Sequence, residues 1–457
     1  MKNPVLFYGA IVMAVGGRRE MKDLLERYAA KSRTALTLGA LVVMILAGLS
    51  ACAQGSTATP TFSNRTPITI GTSLSATGDF AQDGQSMEQG YKLWEQTINH
   101  AGGLLGRPVK LVILHDNSAP DQVAKNYDTL IHKDHVNLVI GPFSSLLTKA
   151  AESVVAKSGY ALIEGAGGGL SVFTQGWTNI FDVSLPVANN LLTFANFILS
   201  LPVSMRPTTV AYATSDDPFT QPQLVVAKQL LERGGVTTVF NNTGDSPCSN
   251  PPYCQPYLAE HSNYMTHDIP PVAERIVKAQ AQVVILGTLL PDLQAYIRVF
   301  KHEHYNPEAL IATAGPDLGQ DFIKAIGGVK YTEGVFVPNG WYPEADHYQN
   351  AQMVHNYLAQ YGGTADQINA DVAEAYSVGQ VLAQVVTKTK SIDNTRMINA
   401  LRSGVFTTVQ GAVQFDQYGR NTLALADLFQ WQHGSLRAVY PSFIAAENPE
   451  FPKPRTY

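Results

Sequence analysis

Cysteine is scarce in this chain, with three in 457 residues, and no apolar run reaches the roughly 20 residues that a membrane-spanning helix needs. The sequence has no Gly-x-Ser-x-Gly elbow, no His-Glu-x-x-His pair and no phosphate-cradling loop, so the usual local marks of a hydrolase, a zinc protease or a nucleotide enzyme are missing. His302 and His304 in "FKHEHY" fall on a helix and read as part of its solvated polar face. No enzyme activity, cofactor or metal is expected. Positive charge is also short. Without residues 1–51 the chain keeps 25 basic and 34 acidic residues, a formal charge of −9. That balance argues against nucleic acid or anionic lipid surfaces as partners, since both demand basic patches.

Between Arg33 and Arg65 there is no charged residue at all. The apolar part of this stretch, Leu38 to Leu49, suits the core of a signal peptide better than a span. "LSAC", ending at Cys52, resembles the lipobox of bacterial lipoproteins, which implies that Cys52 is lipidated and becomes the mature N-terminus. An uncleaved, short N-terminal anchor is the alternative. Met21 begins a conventional signal on its own, so the start codon can lie there instead of at Met1. "AQGSTATPTFSNRTP" (53–67) then reads as a flexible tether. The expected location is extracytoplasmic, with the body held to the membrane by lipid. Cys248 and Cys254 in "SPCSNPPYC" close a short loop, for which a disulfide is the first reading outside the cytosol. A zinc site with His261 and His267 is the alternative, without the framework such sites use.

About 400 remaining residues exceed one ordinary core, so two lobes are expected. Short apolar strands at 68–74, 109–116, 137–142 and 160–165 alternate with helices at 84–100, 120–134 and 145–158. The pattern restarts with strands at 208–214, 235–240, 282–287 and 309–315 and helices near 219–233, 270–280 and 291–304. Near-continuous apolar strands joined by helices imply parallel sheets covered on both faces. In 372–386, Val372, Ala375, Tyr376, Gly379, Leu382 and Val386 follow the spacing of one buried helical face. "GAVQFDQYGR" predicts a hairpin turning at Gly419. Ligands of such sheets sit beyond the carboxyl ends of the strands. Two facing sheets therefore make a cleft lined by strand-to-helix loops.

Three of those loops stand out. "GPFSS" (141–145) ends a strand and opens a helix, where Ser144 or Ser145 can cap the free amides or help them hold a carboxylate. "EGAGGGL" (164–170) lets a ligand approach the backbone. "TAGPDLG" (313–319) places Asp317 at a strand end, either as a helix cap or facing the cleft to hold an ammonium group.

"SLSATGDFAQDGQSMEQGYKLWEQTINHAGGLLGRPVKLVILHDN", "VIGPFSSLLTKAAESVVAKSGYALI" and "NTRMINALRSGVFTTVQGAVQFDQYGR" together make almost the whole mature chain similar to the leucine/isoleucine/valine-binding family. These are type I periplasmic binding proteins, the receptors of ABC importers. The resemblance implies an α/β fold of two Rossmann-like lobes with parallel sheets, joined by a hinge of crossover strands. It places lobe 1 at 67–186 plus 341–424 and lobe 2 at 187–340 plus 425–457, with an insertion at 241–270. Carried over by position, Ser145 binds a ligand carboxylate through its hydroxyl, and Ala166 and Gly168 complete that grip. Asp317 pairs with the α-ammonium, Phe219 and Leu289 close from the second lobe, and Asp83 or Phe80 forms the first-lobe wall. Gly168 stands where the family has a hydroxyl residue and Leu289 where it has an aromatic one, while "DDPFTQP" lacks the usual Tyr-x-Gly-x-Gly. The implied pocket is more apolar, for a branched-chain or other apolar amino acid or a related small amide or acid. The implied partners are ABC permease subunits, with the receptor acting as a monomer. A sensor of the same fold is the alternative role. Since the sequence ends at Tyr457 without a signalling domain, that role would need a separate partner.

Overall fold

A computed structural model describes residues 65–243, 269–424 and 426–456. Cys52, Cys248, Cys254, His261 and His267 lie outside them, so the anchor, disulfide and zinc readings concern residues beyond this description.

The chain opens with β1 (Ile68–Leu74), α1 (Ala81–His100), β2 (Val109–His115), α2 (Pro120–His132), β3 (Leu138–Ile140), α3 (Ser145–Lys157), β4 (Leu162–Glu164) and β5 (Ile180–Asp182). These strands form one sheet in the order β2-β1-β3-β4-β5, every pair parallel. β1 pairs with β2 from Ile68↔Val109 to Leu74↔His115. The intervening helices are the crossovers that parallel strands require. Pro120 at the start of α2 has a fixed φ suited to a first helical turn, where no amide partner is missed.

A second βα series follows: α4 (Leu192–Ser200), β6 (Thr209–Thr214), α5 (Thr220–Arg233), β7 (Thr237–Asn241), α6 (Ile269–Ala279), β8 (Val283–Gly287), α7 (Leu290–His302), β9 (Ala309–Ala312), α8 (Gln320–Ile326) and β10 (Val335–Asn339). Every residue of β8 and β9 is buried, as expected of central strands covered on both faces. The chain then runs through α9 (Asn350–Tyr361), α10 (Ala370–Thr389), α11 (Asn394–Ser403), β11 (Val405–Thr408), β12 (Gly411–Gln414), β13 (Asp427–Gln432) and β14 (Ser435–Tyr440). β13 and β14 join the second sheet antiparallel, giving β14-β13-β10-β9-β8-β6-β7.

Each sheet has its own core. Tyr91, Trp94, Ile140, Phe181, Tyr376 and Leu382 belong to one buried cluster. Tyr296, Phe300, Phe322 and Trp431 belong to another, beside Phe194, Phe197 and Phe336 in a third. The chain passes between the sheets at about 183–191, 339–341 and 416–427. Two of these crossings are tied together. The Asp182 amide donates to the Gly419 carbonyl at 2.9 Å, and Asn421 Nδ2 donates to the Val183 carbonyl at 2.9 Å. The turn expected at Gly419 is present: Asp416 accepts two hydrogen bonds from the Arg420 guanidinium, and Gly419 has φ +97°. A Cβ at Gly419 would lie 1.9 Å from the Ile180 carbonyl oxygen, so both its conformation and its contact call for glycine.

Candidate functional site

A cavity of about 90 Å³ lies where the strand-to-helix loops of the two sheets meet. The first sheet contributes Phe80 beyond β1, Phe143 and Ser144 beyond β3, Ala166 and Gly168 beyond β4, and Ser184 beyond β5. The second contributes Asp217 and Phe219 beyond β6, Leu289 beyond β8, Thr313 and Asp317 beyond β9, and Asn339 at the end of β10. The first turn of α10 adds Ala370, Asp371 and Glu374, and the β11–β12 turn adds Gln410. A second cavity of about 180 Å³ shares Asp317 and Asn339 with the first and carries Trp341, Tyr342, Phe429 and Trp431 on its wall.

Phe80, Ala166, Gly168, Phe219, Leu289 and Asp317 all line the cleft. Ser145 and Asp83 do not; of the two residues expected at the first-lobe wall, Phe80 is the one on it. Ser145 is fully buried as the first residue of α3, and its Oγ accepts the Gly169 amide at 2.9 Å. The hydroxyl at the wall is that of Ser144, the N-cap, whose Oγ accepts the Leu147 amide at 3.2 Å. Ser144 has φ +73°, and this turn is what swings the following residue inward. Asp83 lies in the first turn of α1 and shares a side-chain hydrogen bond with Asp371, which stands at the wall in front of it.

The glycine-rich loop is held partly by its own acid. The Ala166 amide donates to Glu164 Oε2 at 3.0 Å, and the Gly167 amide donates to the same oxygen. Asp317 accepts the Gly315 amide at 2.8 Å, which fixes the short turn between β9 and α8.

Asp217, Asp371 and Glu374 were not singled out from the sequence. Asp371 and Glu374 follow the N-cap Asn369, whose side chain accepts the Asp371 amide at 3.0 Å. Acids there look like ordinary partners of a helix dipole. Only the fold shows that this helix start enters the cleft. No Lys, Arg or His lines the cavity beside these carboxylates. Burial pushes the Asp371 and Glu374 carboxyls well above the usual carboxylate range, and neighbouring carboxylates add to the effect. Burial, then Asp317 nearby, raises Asp83 to about 7 although Asp371 hydrogen-bonds to it. Asp317 is raised by burial, against the amides that favour its charged form.

Among the described residues, Glu333, His433 and Glu450 are the side chains close enough together to hold a metal ion. None of them lines either cavity.

A sequence profile of the periplasmic binding protein family matches residues 67–435. The leucine-, isoleucine-, valine-, threonine- and alanine-binding protein of Pseudomonas aeruginosa is 23% identical over 371 residues, covering 79% of this chain and 89% of that protein. Among solved structures, the branched-chain amino acid transporter substrate binding protein LivJ of Streptococcus pneumoniae, in complex with isoleucine, matches with a TM-score of 0.69 and 16% identity. That match covers 85% of this chain and 100% of LivJ. A solute binding protein of an ABC transporter from R. palustris, in complex with benzoate, matches with a TM-score of 0.66 and 16% identity over 84% of this chain and all of that one.

Proposed function

The chain belongs to the periplasmic binding protein family, and from that premise we propose that it is the solute-capturing component of an ABC importer, closing its two lobes on an amino acid or a related small amide or acid and delivering it to a membrane permease. The observation that carries this reading is the shared cavity: Ala166 and Gly168 reach it from one sheet, Phe219, Leu289 and Asp317 from the other. A ligand touching both walls has contacts in the closed arrangement that it lacks in the open one, and that difference shifts the lobe equilibrium. Phe80, Phe143 and Leu289 give the ligand apolar contact, and Asp317 gives an amine a carboxylate partner. The family is one of substrate-binding transport proteins, not of enzymes. No helix among the described residues is long and apolar enough to cross a membrane. Membership of the family together with the lipobox-like "LSAC" supports an extracytoplasmic receptor anchored through lipid on Cys52.

The proteins named above bind leucine, isoleucine, valine, threonine and alanine, or isoleucine, or benzoate, which supports a small organic ligand. A thermal-shift screen of the full-length protein against amino acids, amines, amides and small aromatic acids tests the function. The expected outcome is a saturable rise in melting temperature with one chemical class, followed by compaction in small-angle scattering. A protein that responds to none of them would overturn the reading.

A further inference from the structure

The charge of the cleft points to its ligand more narrowly than the fold does; this inference rests on the solute-binding reading above. Asp217, Asp317, Asp371 and Glu374 line the cavity without any basic side chain. Asp371 is only 6% exposed, and beyond the hydrogen bond its carboxyl shares with Asp83 its Oδ2 has no partner. Gln410, also on the wall, has a second unpartnered acceptor in its Oε1. Buried acceptors without donors are costly, so the site calls for a ligand that brings N–H groups. The opposite need is poorly met. The Ala166, Gly167 and Gly169 amides, which could hold a ligand carboxylate, donate to Glu164 and to Ser145 within the same lobe.

We propose that the cleft takes a ligand with two cationic nitrogen groups on a short aliphatic stem, one held at Asp317 from the second lobe and the other at Asp371 and Glu374 at the start of α10. Phe80, Phe143 and Leu289 face the stem. A zwitterion such as leucine brings one ammonium group and one carboxylate, leaving part of the acidic wall unmatched and adding a like charge. A dication answers both ends. Among the described residues no three of these carboxyls bring their oxygens within 4.8 Å of one another, as the cage of a bare metal ion would require. The raised affinity of Asp371 and Glu374 for protons fits carboxyls that hold protons until a cation replaces them.

Calorimetric titration of the full-length protein at pH 8 with putrescine, agmatine, L-lysine, L-arginine, L-leucine and acetamide tests the proposal. At least one of the four probes with two cationic groups is expected to bind tenfold or more tightly than both leucine and acetamide. Putrescine or agmatine leading would identify an amine without a carboxylate; lysine or arginine leading would identify a dibasic amino acid. Asp371→Asn is expected to weaken the leading probe by tenfold or more, and Glu374→Gln provides the same test at a less buried position. Leucine or acetamide binding as tightly as every dication overturns the proposal and leaves solute capture standing. Unchanged dication affinity in both folded variants also overturns it. A cleft that takes none of the six probes overturns the proposal and leaves solute capture to the wider thermal-shift screen.

Discussion

Asp317 illustrates how one residue in the cleft is held for its task. It is partly buried and accepts the Gly315 amide at 2.8 Å, so its carboxylate is positioned before any ligand arrives. Replacing it with alanine would leave a bound ammonium without its charged partner in a site shielded from water. The expected loss for an amine ligand is about 2–3 kcal/mol, the range of a hydrogen bond to a charged group. Calorimetry would read it as a fall in affinity of very roughly 30- to 150-fold. Ser145 has a different role. Its Oγ holds the Gly169 amide, so Ser145→Ala is expected to cost about 1 kcal/mol of folding stability, seen as a lower denaturation midpoint. Its effect on affinity should be the smaller one. Asp317 could be named from the sequence because a strand-end acid before a helix is a local pattern. Whether Ser144 or Ser145 faces the ligand could not, since that depends on a backbone turn at Ser144.

At the scale of elements, the packing of α1 against α10 holds the first lobe together and carries Asp371 and Glu374 to the cleft. The helices approach closely through glycines. A Cβ on Gly90 would lie 2.3 Å from the Val372 carbonyl oxygen, and one on Gly379 would lie 2.2 Å from the Trp94 ring. Gly379→Ala would gain helix propensity of up to about 1 kcal/mol. The overlap with a fully packed indole outweighs it, since overpacking a core costs about 1–3 kcal/mol. A net destabilisation of about 1–2 kcal/mol is expected, measured as a lower urea midpoint with an unchanged slope. The apolar spacing from Val372 to Val386 identified the buried face correctly: Val372, Ala375, Tyr376, Gly379, Leu382 and Val386 are all buried. Val378, Val381 and Val385 are buried too. Periodicity alone understated the helix, because other parts of the lobe cover its remaining sides.

For the whole molecule, the buried acids couple stability to pH. Burial lifts Asp83 and Asp182 to about 7, against about 4 in an unfolded chain. Asp83 is affected by the charges of Asp317 and Asp321 and hydrogen-bonds with Asp371, while Asp182 accepts hydrogen bonds from Ser184, feels Arg420 and interacts with Glu164 and Glu374. The folded state thus holds these protons more tightly. Their contribution to stability is complete below about pH 4 and is lost as the pH rises through 7. Scanning calorimetry of the ligand-free protein should show this as a contribution that lowers the melting temperature between pH 5 and pH 8. A bound cation reverses the preference, so its affinity should rise over the same interval, with protons released to the buffer. At this scale the anchor is testable as well. Cys52→Ser is expected to remove palmitate labelling and release the protein from the membrane fraction. Retention of an unlabelled, full-length form would favour a short uncleaved anchor.

By itself the sequence determined the two α/β lobes, because runs such as "VVILG" and the helix periods between strands are local consequences of burying apolar side chains on regular backbones. It also marked the loops that meet in the cleft, since the carboxyl ends of parallel strands are where ligands of such sheets sit. Only the tertiary structure decided the charge of that cleft. Asp317 stands far in sequence from Asp371 and Glu374, and all three are ordinary in their local settings. Burial and mutual repulsion, which arise only once the lobes and α10 are packed together, make them one acidic surface.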